Sequence, residues 1–172
     1  MQLRPIRALP ALEGPISHTL VHQKTGALLT ATAQTLVLWT VNGILVACTP
    51  KHTPTPRNRT PQVLPRITAL AYSLGHEWDE DNVYITGHAD GSVKFWSVRM
   101  LDEKTETVQG EPTRAMRHRA TLSLSTAPIT TIQVDLETGQ GMWAADSRGE
   151  AFSATLTGSA STAAVGFNAI QT

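Results

Sequence analysis

Residues 83–98, VYITGHADGSVKFWSV, carry the clearest pattern of apolar and polar positions in the chain. Two runs rich in β-branched and aromatic residues favour extended strands. The polar turn between them contains Asp90 and Gly91, the residue types that a tight reversal needs. The second run is apolar on both faces, because Phe95 and Trp96 point to opposite sides. The segment therefore predicts a β-hairpin that is covered on both faces.

The pattern of that hairpin occurs three times along the chain. Alignment of the hairpins brings together positions at nearly equal spacing, namely Trp39, Trp96 and Ala154. Each hairpin also follows an apolar strand that opens on isoleucine, at Ile16, Ile67 and Ile129. Self-similarity at a fixed period is the signature of a repeat fold. We count three repeats, and the last is degenerate because alanine replaces its tryptophan.

These repeats predict an all-β fold, a partial WD-repeat β-propeller of about three four-stranded antiparallel blades. A WD blade needs about 40–45 residues, so the remaining length is assigned to loops. The predicted segments are an N-terminal loop or incoming strand at 1–14, blade one at 15–48, a Pro-rich loop at 49–65, blade two at 66–98, a polar linker at 99–116, blade three at 117–156, and a small-residue tail at 157–172. The tail either adds an edge strand with Val165, Phe167 and Ile170 or stays disordered.

Three blades leave a propeller ring incomplete. Propellers have about 4–8 blades, and each blade hides its apolar faces only against a neighbour. Either the remaining blades belong to a longer chain, or another chain completes the ring. We favour the longer chain.

Composition narrows the classes of partner. Lys plus Arg and Asp plus Glu number 14 each, so no overall field steers the protein toward nucleic acid or anionic lipid. The single cysteine, Cys48, cannot form an internal disulfide or a cysteine-rich zinc module. No run of about 18 apolar residues predicts a membrane span. We expect a cytoplasmic chain without cofactor or metal, peripheral to endomembranes only through other domains.

The Pro-rich loop has two interpretations. Its proline density excludes helix and the interior of a sheet. It carries three basic residues and three Thr-Pro pairs, namely Lys51, Arg57 and Arg59 with Thr53, Thr55 and Thr60. One interpretation is a phosphorylation site for a proline-directed kinase, at which phosphate switches the local charge from basic to acidic. The alternative is a tolerated surface insertion.

A second insertion, 73–82, places carboxylates around one tryptophan. The predicted contact residues are Glu77, Trp78, Asp79 and Asp81. Because tryptophan is enriched among the residues that dominate binding at interfaces, this group is predicted to anchor a basic partner. The alternative is that Trp78 folds back onto the blade edge and leaves the carboxylates in water. Calcium is disfavoured, since the spacing is not that of an EF-hand loop.

The segment 76–96, HEWDEDNVYITGHADGSVKFW, resembles the C-terminal propeller of BEACH-domain proteins, the group that includes neurobeachin and the lysosomal-trafficking regulators. The matching residues are Glu77, Trp78, Asp79, Asn82, Val83, Thr86, Gly87, His88, Asp90, Gly91, Val93 and Trp96. The flanking segments 36–43 and 146–152 look like the family's L-x-L-W-[ST]-[IV]-NG and GDSRG-x-x-F elements, in the family's order. The chain departs from the pattern at Ala145, at Ala154 and in its long Pro-rich loop.

Several residues are assigned to the architecture of the blades, namely Trp39, Thr86, Asp90, Gly91, Trp96, Asp146 and Gly149. WD repeats often link a strand Trp, a strand Ser or Thr, a loop His and a turn Asp by hydrogen bonds. Here Trp96, Thr86 and Asp90 fit that chain, whereas His88 lies in the turn instead of the usual position. Asp90 is expected to accept hydrogen bonds from N–H groups of the turn.

The predicted function is a non-catalytic scaffold for protein–protein interaction. The BEACH resemblance implies a role in membrane trafficking, in lysosome or vesicle biology, or in autophagy. One alternative is a generic WD adaptor of a ubiquitin ligase or an RNA-processing complex. A remote alternative is a hydrolase that uses His88, but no nucleophile elbow, phosphate-binding loop or H-E-x-x-H motif supports an enzyme. No catalytic residue is therefore assigned.

Overall fold

The computed structural model describes residues 14–23, 25–49, 64–73, 83–100, 114–135, 141–155 and 170–171, with the backbone alone at 99–100, 114–115 and 170–171. Regular secondary structure in these ranges consists of strands. In chain order the strands are β1 His18–Val21, β2 Leu28–Ala31, β3 Leu36–Trp39, β4 Leu45–Cys48, β5 Ile67–Ser73, β6 Val83–His88, β7 Ser92–Met100, β8 Arg114–Ser123, β9 Ile129–Val134, β10 Gly141–Asp146, β11 Ala151–Thr155 and β12 Ile170–Gln171.

The strands form three antiparallel meanders of four strands each. Strands β1–β4, β5–β8 and β9–β12 pair in sequence order and define blades one, two and three. The register repeats as well, because the second and third strands pair Leu28 with Trp39, Tyr84 with Trp96, and Met142 with Ala154. This repetition confirms the prediction of an all-β partial propeller with about three blades.

The blades pack face to face, and their first strands lie side by side. Strand β5 contacts β1 on one side and β9 on the other. The core between blades one and two includes Leu29, Leu36, Leu38, Tyr84, Trp96 and Val98. The core between blades two and three includes Ile85, Val93, Phe95, Ile129, Met142 and Ala144. Both faces of β7 are therefore buried, as its apolar pattern predicted.

Gly87 allows a close approach between blades two and three. A Cβ atom at residue 87 would lie 2.7 Å from Ile129 Cγ2 and 3.1 Å from the Ala69 Cβ. Ile129 itself is completely buried. Ile129, the first residue of blade three, thus packs against Gly87 of β6, where a side chain would displace it.

A short parallel contact joins the outer rims of blades one and two. Ala47 pairs with Arg114 and Cys48 with Ala115, so that β4 meets the beginning of β8. Both are fourth strands, and equivalent strands of neighbouring blades run in the same direction. In the described residues the contact consists of these two pairs, and β8 pairs antiparallel with β7 along its other edge. Blade three forms a separate sheet.

The blade boundaries differ from the predicted segments. Strand β8 closes blade two by pairing along β7, whereas the prediction placed 117–123 in blade three and a linker at 99–116. Charged residues in RAMRHRA hide this strand from a reading of apolar periodicity, since an outer strand needs backbone partners more than apolar side chains. In the predicted tail, Ile170–Gln171 pairs with Phe152–Ser153, which is the edge-strand alternative.

The two ends of the blades carry different kinds of connection. We call the end at which first and third strands finish the loop end, and the opposite end the turn end. Tight turns at 32–35, 89–91 and 147–150 lie at the turn end, together with the connections from one blade to the next. Strands β5 and β6, which flank 74–82, meet at the loop end.

The turn of blade two fits tightly against the connection to blade three. Gly91 has a φ of 79°, in the left-handed region that favours glycine. Its carbonyl accepts the N–H groups of Leu124 and Ser125, each at 3.2 Å. A Cβ at residue 91 would lie 2.0 Å from the Ser125 carbonyl oxygen. Gly149, the equivalent residue of blade three, has a φ of 85° but no atom within 4 Å of an added Cβ.

These two glycines make a matched pair of substitutions. Gly149→Ala adds only the cost of the left-handed backbone, about 1–2 kcal/mol. Gly91→Ala adds that cost and displaces the connection that bonds to its carbonyl, so we expect a further loss of about 1–3 kcal/mol. Urea unfolding of both variants measures the difference. Equal losses of stability would show that the contact between this turn and 124–125 is unimportant.

Candidate partner-binding surfaces

A buried chain of hydrogen bonds crosses blade two toward the turn end. Trp96 Nε1 donates to Thr86 Oγ1 at 2.8 Å, and that hydroxyl lies 2.8 Å from His88 Nε2. His88 Nδ1 lies 2.8 Å from the Pro65 carbonyl oxygen. Because a carbonyl can only accept, Nδ1 carries the His88 proton and Nε2 accepts the proton of the Thr86 hydroxyl. The chain ties two strands of blade two to the connection that arrives from blade one.

The surroundings of His88 do not present a nucleophile. His88 and its hydroxyl partner Thr86 are both 0% exposed. The nearby Ser92 hydroxyl donates instead to Asp90 Oδ1 at 2.6 Å, and that oxygen also accepts the Ser92 N–H at 3.0 Å. A hydrolytic pair needs an exposed nucleophile within hydrogen-bond reach of its base. In this arrangement the four side chains fasten a hairpin.

Burial lowers the pKa of His88 below its ordinary value of 6.5, and Lys94 acts in the same direction. The bond to the Pro65 carbonyl opposes this shift without reversing it. Protonation of Nε2 would aim two donors, from Trp96 and His88, at one Thr86 oxygen. The hydroxyl proton would then have only the Lys94 carbonyl, 3.5 Å away. The folded protein therefore holds His88 in its neutral form.

Blades one and three contain reduced versions of this chain. In blade one, Trp39 Nε1 donates to Thr30 Oγ1 at 2.9 Å, and Thr32 stands at the position of His88. In blade three, alanine replaces both partners, at Ala144 and Ala154. Because the tryptophan and the threonine are lost together, neither replacement leaves an unsatisfied polar group behind.

Asp146 stands at the His88 position in blade three and fastens its turn in another way. Its Oδ1 accepts the N–H groups of Arg148 at 2.9 Å and Glu150 at 3.0 Å, and its Oδ2 accepts the Ser125 hydroxyl at 2.6 Å. The Ser125 hydrogen bond is the main reason that the pKa of Asp146 is lowered, although burial opposes the shift. Gly149 follows in the same turn. His88 in blade two and Asp146 in blade three thus each bond to the connection that arrives from the preceding blade.

The residues predicted to contact partners or to be phosphorylated lie outside the described residues. They are Glu77, Trp78, Asp79 and Asp81 in one insertion, and Lys51, Thr53, Thr55, Arg57, Arg59 and Thr60 in the other. The strands that flank the insertions are described. The acidic insertion leaves from β5 and β6 at the loop end, and the Pro-rich one leaves from β4 and enters β5 at the turn end. The two predicted surfaces therefore attach to opposite ends of the blades.

The described residues at the two ends differ in chemistry. Close to the end of β5, the Tyr72 hydroxyl accepts the Gln23 N–H at 3.0 Å and its ring lies 4.5 Å from the ring of His22. Apolar side chains are exposed around this loop end, with Val21 at 57% and Val41 at 70%. The turn end exposes mainly polar side chains, which include Gln34, Arg66, Asp90, Arg148 and Glu150, although Ile16 just before β1 is also 50% exposed.

Two features escaped the reasoning from sequence. The first is the central place of His88: the sequence predicts it in the turn and Asp90 in the hydrogen-bond chain, but His88 ends β6 and joins that chain, whereas Asp90 bonds to Ser92. The spacing of two between Thr86 and His88, which puts both side chains on one face of a strand, was the available signal. The second is Trp143, which is 52% exposed on the outer face of blade three. Trp143 aligns with Ile85, which packs between blades two and three. This alignment could have placed Trp143 on a face of blade three.

The comparisons with known proteins agree with this architecture. Protein SPIRRIG from Arabidopsis thaliana is 29% identical over 114 residues, which are 66% of this chain and 3% of that protein. BEACH domain-containing protein A2 from the same plant is 28% identical over 91 residues, which are 53% of this chain and 2% of that protein. The resemblance to BEACH-domain proteins is confirmed. No protein-family model matches the chain.

A solved structure supports the fold of this BEACH-like segment. The β-propeller domain of Cps50 (Swd1) from Myceliophteria thermophila superposes with a TM-score of 0.53 at 12% identity, over 87% of this chain and 38% of that one. The three blades of this chain thus match well under half of that propeller chain. No helix in the ranges that the structure describes could span a membrane. The same ranges contain no cluster of potential metal ligands.

The neutral state of His88 predicts a specific dependence of stability on pH. Since its folded pKa lies below 6.5, the unfolded chain takes up a proton before the folded chain does. Stability is therefore full above about pH 6.5 and falls below it, by up to about 1.4 kcal/mol per pH unit. In His88→Gln, the part of this dependence that comes from His88 disappears, whereas the contribution of His118, whose pKa is also lowered mainly by burial, remains. Urea unfolding across this range measures both slopes. A wild-type slope no steeper than that of the variant contradicts the assignment.

Proposed function

We propose that this segment is a non-catalytic scaffold for protein–protein interaction, within the propeller of a BEACH-type protein. The observation that supports the proposal is that the blade faces and the blade ends have different roles. Every large side chain between the blades is used for packing, whereas the insertions leave from the blade ends. Exposed loops on a rigid scaffold are where binding residues concentrate.

The arrangement of polar groups supports a binding role over chemistry. His88 bonds to Thr86 and to the Pro65 carbonyl, and Ser92 bonds to Asp90. Asp146 is committed in the same way to the turn of blade three. A hydrogen-bonded set whose members Thr86, His88 and Asp146 are buried gives rigidity, which suits a platform that presents loops.

The proposed cellular role is in membrane trafficking, in lysosome or vesicle biology, or in autophagy. It rests on the similarity to BEACH-domain proteins, and the chain spans only 3% and 2% of the length of the curated relatives it matches. The remaining blades, and the domains that approach membranes, would then be supplied by a longer protein.

The proposed partner surface is the acidic insertion around Trp78, at the loop end. Support comes from its attachment beside Tyr72 and His22, where blade one exposes Val21 and Val41. A tryptophan supplied by the insertion and apolar side chains supplied by blade one would together form a core that a ring of carboxylates surrounds. Such a surface fits a partner with basic side chains around an apolar centre.

The Pro-rich loop is proposed as a second, regulatory surface. Its Thr-Pro pairs at Thr53, Thr55 and Thr60 alternate with basic residues, so phosphate there would reverse the local charge. Because the loop attaches at the turn end, its modification is expected to act on contacts separate from those of the acidic insertion.

A comparison of substitutions at the two ends tests the proposed function. In the full-length protein, Trp78→Ala with Glu77→Gln, Asp79→Asn and Asp81→Asn should lose at least one cross-linked partner of the wild type. The matched control replaces Lys51, Arg57 and Arg59 by glutamine at the other end and should keep that partner. Cross-linking in cells followed by mass spectrometry measures the set. If all partners survive both sets of changes, these surfaces are not the binding sites.

A further inference from the structure

The two outer strands of blade two concentrate positive charge. Strands β7 and β8 contain no Asp or Glu, but they contain Lys94, Arg99, Arg114, Arg117 and Arg119. The whole chain has 14 residues of each sign, so an excess of acidic residues elsewhere in the sequence balances these cations. The neutral total thus conceals a strongly basic edge of blade two.

The basic side chains of this edge lie on both faces of the sheet. We call the edge the basic rim and define it by the side chains of Lys94, Arg117, His118 and Arg119. His118 lies opposite Trp96, which faces blade one, and Lys94 shares that face because it lies two positions from Trp96. Arg117 lies opposite Ser97, on the other face. A ligand along the outer edge would therefore meet basic groups on either side.

Contacts with blade two hold the rim side chains in place. Arg119 Nε donates to Ser97 Oγ at 2.7 Å, and Ser97 is 1% exposed. His118 Nε2 lies 2.8 Å from Thr121 Oγ1, and the His118 ring stands edge-on to Trp96 with 5.3 Å between the ring centroids. Side chains that are fixed before binding lose less conformational freedom when a ligand arrives.

Lys94 and Arg117 retain their charge for a ligand. Arg117 is exposed, and neither side chain forms an ion pair in the part of the chain that the structure describes. Lys94 lies close to another basic group instead: burial lowers the pKa of His118, and the Lys94 charge adds to that shift. Because the rim is at the outer edge of blade two, further blades that pack against the blade faces would leave it in water.

The kind of ligand follows from this distribution of charge. An extended peptide points successive side chains to opposite sides, so carboxylates along it can reach the basic groups on both faces of the rim. A guanidinium binds a carboxylate through two parallel hydrogen bonds. The register shift between Phe95 and Trp96 leaves Arg119 in a bulge, and a bulge disfavours regular pairing of a further strand. Side chains, and not the backbone of β8, are therefore the expected contacts.

We infer that the basic rim docks an acidic segment of a partner protein, which lies along the outer edge of β8. The inference rests on the proposed function as a protein-binding scaffold, and it adds a surface and a partner chemistry. Nucleic acid fits less well, because firm binding commonly uses about 6–10 phosphate contacts and the neutral chain supplies no overall attraction. A completed ring would carry the rim on its outer circumference, separate from the strand ends at which the two insertions attach.

Titration of the full chain with a short, fluorescently labelled peptide of alternating Glu and Ser tests the inference by anisotropy. We expect binding that weakens as salt is added, whereas a peptide with Gln in place of Glu should not bind. Lys94→Gln with Arg117→Gln should weaken binding about tenfold, which is equivalent to about 1.4 kcal/mol. The matched control, Lys51→Gln with Arg66→Gln, removes the same charge elsewhere and should leave the affinity unchanged.

Several results would overturn the inference. Failure of the Glu peptide to bind, or equal binding by the two double variants, would show that the rim is not a docking site. Tighter binding of a single-stranded oligonucleotide of equal charge would make nucleic acid the occupant. Self-association in sedimentation that the rim variant alone loses would make the occupant a second copy. Trp78→Ala should keep the peptide, so that failure of the acidic insertion as a binding surface is observed separately. Circular dichroism establishes that each variant is folded.

Discussion

Blade two is stable in this fold because both of its faces are covered. Trp96 faces blade one and Phe95 faces blade three, with exposed fractions of 1% and 4%. Burial of a large apolar side chain contributes roughly 1.5–3 kcal/mol, so loss of either neighbouring blade would expose several such contributions together. The hydrogen bonds, the turns and the placement of the insertions all depend on this stacking.

Polar contacts then fix how each blade meets the connection before it. The same position on the second strand holds His88 in blade two and Asp146 in blade three, and their partners are the Pro65 carbonyl and the Ser125 hydroxyl. The bond to the preceding connection is thus made by a neutral imidazole in blade two and by a carboxylate in blade three. A scaffold can tolerate such exchanges, since the requirement is a satisfied buried group and not a particular chemistry.

Much of this architecture could be predicted from sequence because the strong signals are local. The alternation around Asp90 and Gly91 gives the hairpin, and Trp39, Trp96 and Ala154 mark the repeat. Strand β8 could not be predicted, because an outer strand such as RAMRHRATLS is held by backbone pairing and carries charges. His88 was misjudged for a related reason, since its partner carbonyl at Pro65 lies 23 residues away in sequence. Residue types around Trp78 and in the Pro-rich loop suggest binding, but only the strand ends that flank them place the two surfaces at opposite ends.

The blades stabilise one another through their faces. Amide hydrogen exchange of a Phe95→Ala variant tests this mutual stabilisation, because Phe95 lies in blade two and packs against blade three. We expect faster exchange in β9 and β10 as well as in β7, since the loss of one face loosens both sheets. Acceleration confined to blade two, with blade three unchanged, would show that the two blades are stable independently of each other.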